Sequence, residues 1–283
     1  GSIGKLLPPF VAFGKEAHVG QGFSALDPNL LIAEITRKMS LNTELCDIAQ
    51  GEVTIPPISL KQMDTKPAYT VQTALVAMGY YNFFTHGMNP GQVIEKCKGV
   101  AQQAFDELIV YLNDQYKKFC ELSRVEYVKL PWKSRVYTWK EFYNELAKAH
   151  GEPFKKAIGD FAAKLQAEEP TLDLRLFGLR VAEEAWKWSE DKSPAVVVFF
   201  GSIYSANIEM TRNTPAERAL LDAVEAAVEV VRPEAERQIK TRMFYPYISD
   251  SSFMAVCGDP STIDALNDNM PSNPAKYYHD IEK

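Results

Sequence analysis

Apolar positions along the chain change their period several times, and each change marks a predicted element. Leu31, Ile35 and Met39 recur every four residues behind Asp27-Pro28, an acid that caps helices followed by a proline suited to a first helical turn. A helix is therefore predicted to about Leu41. Glu52 to Gln62 and Ala68 to Phe83 read as strands, joined by the polar, proline-containing stretch Met63-Asp64-Thr65-Lys66-Pro67. Asn89-Pro90-Gly91-Gln92 has the spacing of a capping box and opens the strongest helical stripe, from Val93 and Cys97 to Leu108 and Leu112, predicted to run to about Leu122. With the extended stretch from Pro9 to Val19 in front, the order is strand, helix, strand, strand, helix. One further strand completes the split β-α-β of ferredoxin-like domains.

That strand is delayed. Val125 to Trp188 reads as a mainly helical insertion, with a capping box at Thr138 to Glu141 and helical spacing from Leu174 to Trp188. Ala195-Val-Val-Val-Phe-Phe200 then supplies a short, wholly apolar strand, ended by Gly201-Ser202. A third capping box, Thr214 to Glu217, starts a helix whose apolar stripe is Leu220, Leu221, Val224, Ala227, Val228 and Val231. Asp259-Pro260 caps a shorter helix, and the tail from Asn267 is polar and aperiodic. The predicted class is α+β: a ferredoxin-like β-α-β-β-α-β unit with a helical insertion, followed by a further segment.

Composition narrows the partners. The 283 residues carry a formal net charge of −6, with Lys and Arg scattered, so the basic stripe of a nucleic-acid binder is missing and no nucleic acid is expected. No apolar run approaches the ~20 residues that span a bilayer, and no basic segment leads into an apolar one, so no membrane partner and a cytoplasmic location are expected. Cys46, Cys97, Cys120 and Cys257 form no C-x-x-C pair and read as free thiols. The chain opens on Gly1-Ser2 rather than Met, which suggests a piece of a longer parent.

The residues alone offer no complete catalytic set. His18, His86, His150 and His279 lack the H-x-D, H-x-x-x-H or H-x-x-E-H spacing that zinc sites use, and no metal ligand is expected in this chain. Glu183-Glu184 reads as a solvated helix face. There is no G-x-S-x-G, no cysteine stands in a context that lowers its pKa, and Gly1-Ser-Ile-Gly-Lys5 is too short for a phosphate loop. An independent enzyme using His18, Glu16 or Asp27 would lack a constellation.

Several stretches nonetheless occur together: Ile3-Gly-Lys-Leu-Leu7, Lys15-Glu-Ala-His-Val-Gly20, Leu26-Asp-Pro-Asn-Leu-Leu31, Tyr80-Tyr-Asn82, Leu130-Pro-Trp132, Phe244 to Asp250 and Asn269-Met-Pro271. On these, from about Ser2 to Ser272, the chain resembles the RocB-like arginine-utilisation proteins of the M-twenty class of zinc peptidases and aminoacylases. The resemblance implies a catalytic domain that binds two zinc ions, interrupted by a ferredoxin-like lid through which the protein forms a homodimer. It places the lid at 1–205, with the insertion at about 124–192, and makes 206–283 a returning segment of the catalytic domain. The implied substrate of the intact enzyme is a peptide or acyl-amino acid, in arginine or related amino-acid breakdown, and this chain alone is expected to be inactive.

The resemblance also implies roles for single residues. His18 matches the lid histidine that reaches into the partner's site to steady the substrate carbonyl or oxyanion. Asn82 falls near the place where many relatives carry an arginine for the substrate carboxylate, and the departure counts against a free-carboxylate substrate, because an amide cannot give bidentate charge pairing. Asp250 aligns with an acidic residue in a loop near the active site. Tyr245, Pro246 and Tyr247 read as packing residues. The rival reading is a non-catalytic interaction module that kept the lid. The two differ in one expectation: a stand-alone module buries the stripe of the helix after Thr214, whereas a part of a larger protein leaves it bare.

Overall fold

A computed structural model of the chain describes residues 1–201, 204–246 and 260–271. The fold is α+β. The strands of its main sheet are β1 (Gly4–Leu6), β2 (Pro9–Phe13), β5 (Ile58–Asp64), β6 (Val76–Thr85), β7 (Val136–Thr138) and β8 (Ala195–Val198), while β3 (Ile48–Ala49) and β4 (Glu52–Val53) form a separate small hairpin. Leu7 and Pro8 divide β1 from β2, but both pair antiparallel with β6, from Gly4 against Thr85 to Phe13 against Val76. Taken across the sheet, the order is β5-β6-β2-β8, every neighbouring pair antiparallel. This follows the path of strand, helix, two strands, helix and strand that the periodicity predicts. The predicted strand over 52–62 is instead split by Pro56-Pro57, which cannot donate to a ladder.

Two helices cover one face of the sheet, α1 (Pro28–Met39) and α2 (Pro90–Ser123). Asp27 caps α1 through the Asn29 N–H at 2.9 Å, and Asn89 with Gln92 closes the capping box on α2. Leu31, Ile32 and Ile35 of α1 and Val93, Cys97 and Phe105 of α2 pack on Phe10, Ala77, Tyr81 and Phe83. Burial raises the Cys97 thiol and the Tyr81 phenol far above their ordinary values, so both are neutral core groups.

The insertion is more than a helical elaboration. Val136–Thr138 adds β7 parallel to β8 at the sheet edge, a strand too short for periodicity to show. Behind it, α3 (Trp139–Glu168) and α4 (Leu174–Lys187) form the layer that covers the other face, packing Phe142, Phe154, Val181 and Trp186 on Val11, Phe13, Met78 and Val197. A strand apolar on both faces, as β8 is, needs such a second layer. The two arms of α3 meet at Gly151, whose φ of +63° is left-handed and suits glycine, and Pro153 starts the second arm.

The residues after β8 do not behave as one block. Residues 204–208 run beside the chain start, with Ser2 and Ile208 exchanging both backbone hydrogen bonds at 2.9 and 3.0 Å, and Lys5 N–H donating to the Ser205 carbonyl at 2.7 Å. Gly4 permits this approach, since a Cβ there would stand 2.4 Å from Thr85 Oγ1 and 2.7 Å from the Asn207 nitrogen. Phe244 is buried and stacks on His86 at 4.0 Å, whereas Tyr245 and Pro246, expected to pack, are exposed. The aromatic that the core accepts is one position earlier, and Tyr247 lies outside the described residues. Helix α6 (Pro260–Asp268) joins the first core through Leu266, with Met270 just beyond it, while α5 (Pro215–Val231) has no buried residue.

Candidate functional site

The segment bearing His18 leaves β2 and pairs with 71–75: Ala17 and Val19 bond to Thr73 and Val71 at 2.9 Å, and His18 bridges Gln72. His18 is exposed and caps the short 3-10 helix Val19–Ser24, its Nδ1 accepting from the Gly20 N–H at 3.0 Å. That bond occupies the Nδ1 lone pair, so the neutral ring carries its proton on Nε2, directed away from the cap. Phe23 fastens the loop to α2, its ring 4.9 Å from Tyr116 and 5.3 Å from Phe119.

Asn82 lies in β6 opposite Ile58, half-buried, with no hydrogen bond from its side chain among the described residues. Strand alternation puts it on the same face as Tyr80. Over the Tyr80 ring, at 5.7 Å, stands the guanidinium of Arg175, held by Asp173, with a buried Nε that has no hydrogen-bond partner among the described residues. The sequence reading missed Arg175, because a cation stacked on a ring 95 positions earlier leaves no local spacing to detect.

His18 and Asn82 occupy opposite ends of the sheet. The six steps from Val76 to Asn82 alone cover ~20 Å at the usual strand rise, and Gln72, the bridge partner of His18, lies beyond Val76. One chain does not bring them to a common small ligand. The Asn82 end is also where the residues after β8 meet the end of β6, through Asn207 Nδ2 donating to the His86 carbonyl at 2.6 Å.

The other candidates separate by role. Asp27 is a helix cap, Glu16 is exposed, and Asp250 lies outside the described residues. Glu183 and Glu184, expected on a solvated helix face, are both half-buried. Cys46, Cys97 and Cys120 are free thiols. Among the described residues no three His, Cys, Asp or Glu side chains gather as a metal site, so they do not fit the two zinc ions that the resemblance implies. No helix of the described residues is long and apolar enough to cross a membrane.

Two curated relatives match nearly the whole chain. The chain is 27% identical over 271 residues to Protein RocB of Bacillus subtilis (strain 168), which covers 96% of this chain and 47% of RocB. It is 27% identical over 279 residues to the uncharacterized protein YqjN of the same organism, covering 96% of this chain and 48% of YqjN. The chain thus spans about half the length of the curated relatives it matches. No family model matches it.

Proposed function

We propose that this chain is the lid and dimerisation portion of a longer zinc-dependent peptidase or acyl-amino-acid amidohydrolase, with arginine or related amino-acid breakdown as its setting. The observation that carries the reading is bare α5. Four of the six residues of its amphipathic stripe are exposed, Leu220 at 55%, Val224 at 45% and Val231 at 49% among them, and Leu221 and Val228 are only half-buried, where a stand-alone interaction module would have buried the stripe. A chain spanning half of its relatives fits the same reading, with α5 covered by the remainder of the protein.

Dimerisation draws support from the free edge of the sheet. Among the described residues strand β5 has no strand partner but β6, and Ile58 and Leu60 on it, with Leu41, Ile48, Val53 and Ile55 in the lead-in, are exposed apolar residues, while at its start the Pro57 carbonyl accepts from the Leu41 N–H and the Ser59 N–H donates to Ser40 Oγ. In the homodimer, His18 of one subunit serves the site of the other, its Nε2–H donating to the carbonyl oxygen as charge develops there. Asn82, near the returning residues, contacts the substrate of its own subunit. Asp250 stands as a further contact by resemblance. Zinc enters through ligands that the described residues do not supply.

The test uses the full-length protein. It should bind two zinc ions per subunit and hydrolyse N-acyl-amino acids or dipeptides, and His18→Ala should lower kcat by about 10²–10³-fold with dimer mass and zinc content unchanged. Absence of zinc and of hydrolysis would favour the non-catalytic module, and unaltered turnover in His18→Ala would remove the role of His18.

A further inference from the structure

A cavity of about 450 Å³ lies between the two arms of α3, α4 and the end of α6, and neither His18 nor Asn82 lines it. Part of its wall is aromatic: Trp139 and Tyr143 on the first arm, their rings 5.8 Å apart, and Phe177 on α4. The second arm contributes Gly159, Ala162 and Ala163, small residues that share one helical face. A Cβ at Gly159 would meet no atom within 4 Å, so no close approach requires glycine there, although glycine weakens a helix interior.

Three charged side chains line the cavity, and each has an opposite charge beside it: Lys140 Nζ with Asp268 at 2.9 Å, and Lys155 Nζ with Glu152 at 2.7 Å. The polar groups that remain are neutral. Asn144 on the first arm, Gln166 on the second and Asn267 on α6 bring three carboxamides to the cavity, none with a side-chain hydrogen bond among the described residues. Trp139 is only 5% exposed, and its indole N–H is also unpaired among the described residues but, unlike that of Trp132, is not sealed from solvent.

A carboxamide presents a donor and an acceptor side by side, which matches a planar ring whose edge carries the same two functions. Aromatic side chains and a smooth helical wall accept the faces of such a ring. We propose that this cavity binds an uncharged heteroaromatic ring of the nucleobase type, free or as its nucleoside, packed on Trp139, Tyr143 and the small residues of the second arm, with its edge on the carboxamides. The volume suits a nucleoside, and a few converging polar groups in a largely apolar pocket fix its orientation. The site is separate from the proposed hydrolytic role and stands or falls without it.

The experiment is an NMR titration of the chain with adenosine and uridine, with AMP, methyl glucoside and toluene for comparison. Saturable shifts confined to the cavity are expected for a nucleoside, with toluene and the glucoside binding about tenfold or more weakly and AMP no tighter than adenosine. Gly159→Leu fills the free space with a better helix former, so it should weaken the nucleoside by about tenfold or more while melting no lower than the parent chain. Asn144→Leu with Gln166→Leu should weaken the nucleoside to a similar extent and leave toluene no weaker. No saturable shift with either nucleoside, equal binding of toluene, or unchanged affinity in either variant would overturn the site. AMP binding about tenfold tighter than adenosine would overturn the uncharged ligand in favour of an anion at Lys140 and Lys155, and preference for the glucoside would overturn the planar ring.

Discussion

Asp47 is buried beside the turn that follows β6. One of its oxygens, Oδ2, accepts from the backbone N–H of His86, Gly87 and Met88 at 2.7, 2.7 and 2.6 Å, and its own N–H donates to Thr54 Oγ1 at 2.9 Å. These bonds hold the turn between β6 and α2, and so the ring of His86 on which Phe244 stacks. Asp47→Ala orphans three donors in a buried site and should cost about 3 kcal/mol or more in urea unfolding, with Asp47→Asn milder because one oxygen acceptor remains. Glu183 acts in the opposite sense. Its carboxyl is raised in the folded state, so the folded chain binds more protons than the unfolded one, and stability falls as pH rises from the ordinary carboxylate value through the raised one. Glu183→Gln should therefore raise the melting temperature at pH 7 and leave it little changed at pH 4. An equal rise at both would mean that packing, not charge, is at issue.

At the scale of elements, α1 and α5 are a matched pair of amphipathic helices with opposite fates. Both have capping side chains and proline in the first turn, yet Leu31, Ile32 and Ile35 of α1 are fully buried, whereas the stripe of α5 is at most half-buried, at Leu221 and Val228. In the chain alone, Leu220→Glu with Val224→Glu should change the unfolding free energy by no more than about 0.5 kcal/mol, whereas Leu31→Ala should cost about 3 kcal/mol. In the full-length protein the α5 pair should become destabilising. The same contrast marks what a sequence can carry. Caps and stripes are local, so the helices and the order of the four central strands were legible from Asp27, Asn89, Thr138 and Thr214. Burial of a stripe depends on what lies opposite, so α5 looked like any core helix. The three residues of β7 and the turn at Gly151 depend on partners far along the chain, and so does the stacking of Arg175 on Tyr80.

At the scale of the whole molecule, the separation of His18 from Asn82 makes the proposed assembly testable without a substrate-bound structure. The sheet holds the two residues at opposite ends, so a site that uses both must draw them from different subunits of a two-fold dimer. Full-length His18→Ala keeps an intact Asn82, and Asn82→Ala keeps an intact His18. Each homodimer should be strongly impaired. When the two variants are unfolded together and refolded at equal concentration, about half of the dimers are mixed, and in each mixed dimer one site recovers both residues while the other loses both. Activity should then return to about a quarter of wild type, and the recovery should disappear when the variants are refolded separately and assayed at once after mixing. Recovery of this size cannot come from additive partial defects, because neither variant alone contains a complete site. If mixing restores nothing while dimers form normally, His18 and Asn82 do not share a site across the interface, and His18 is left with the structural task its Nδ1 already performs, capping the turn at Gly20.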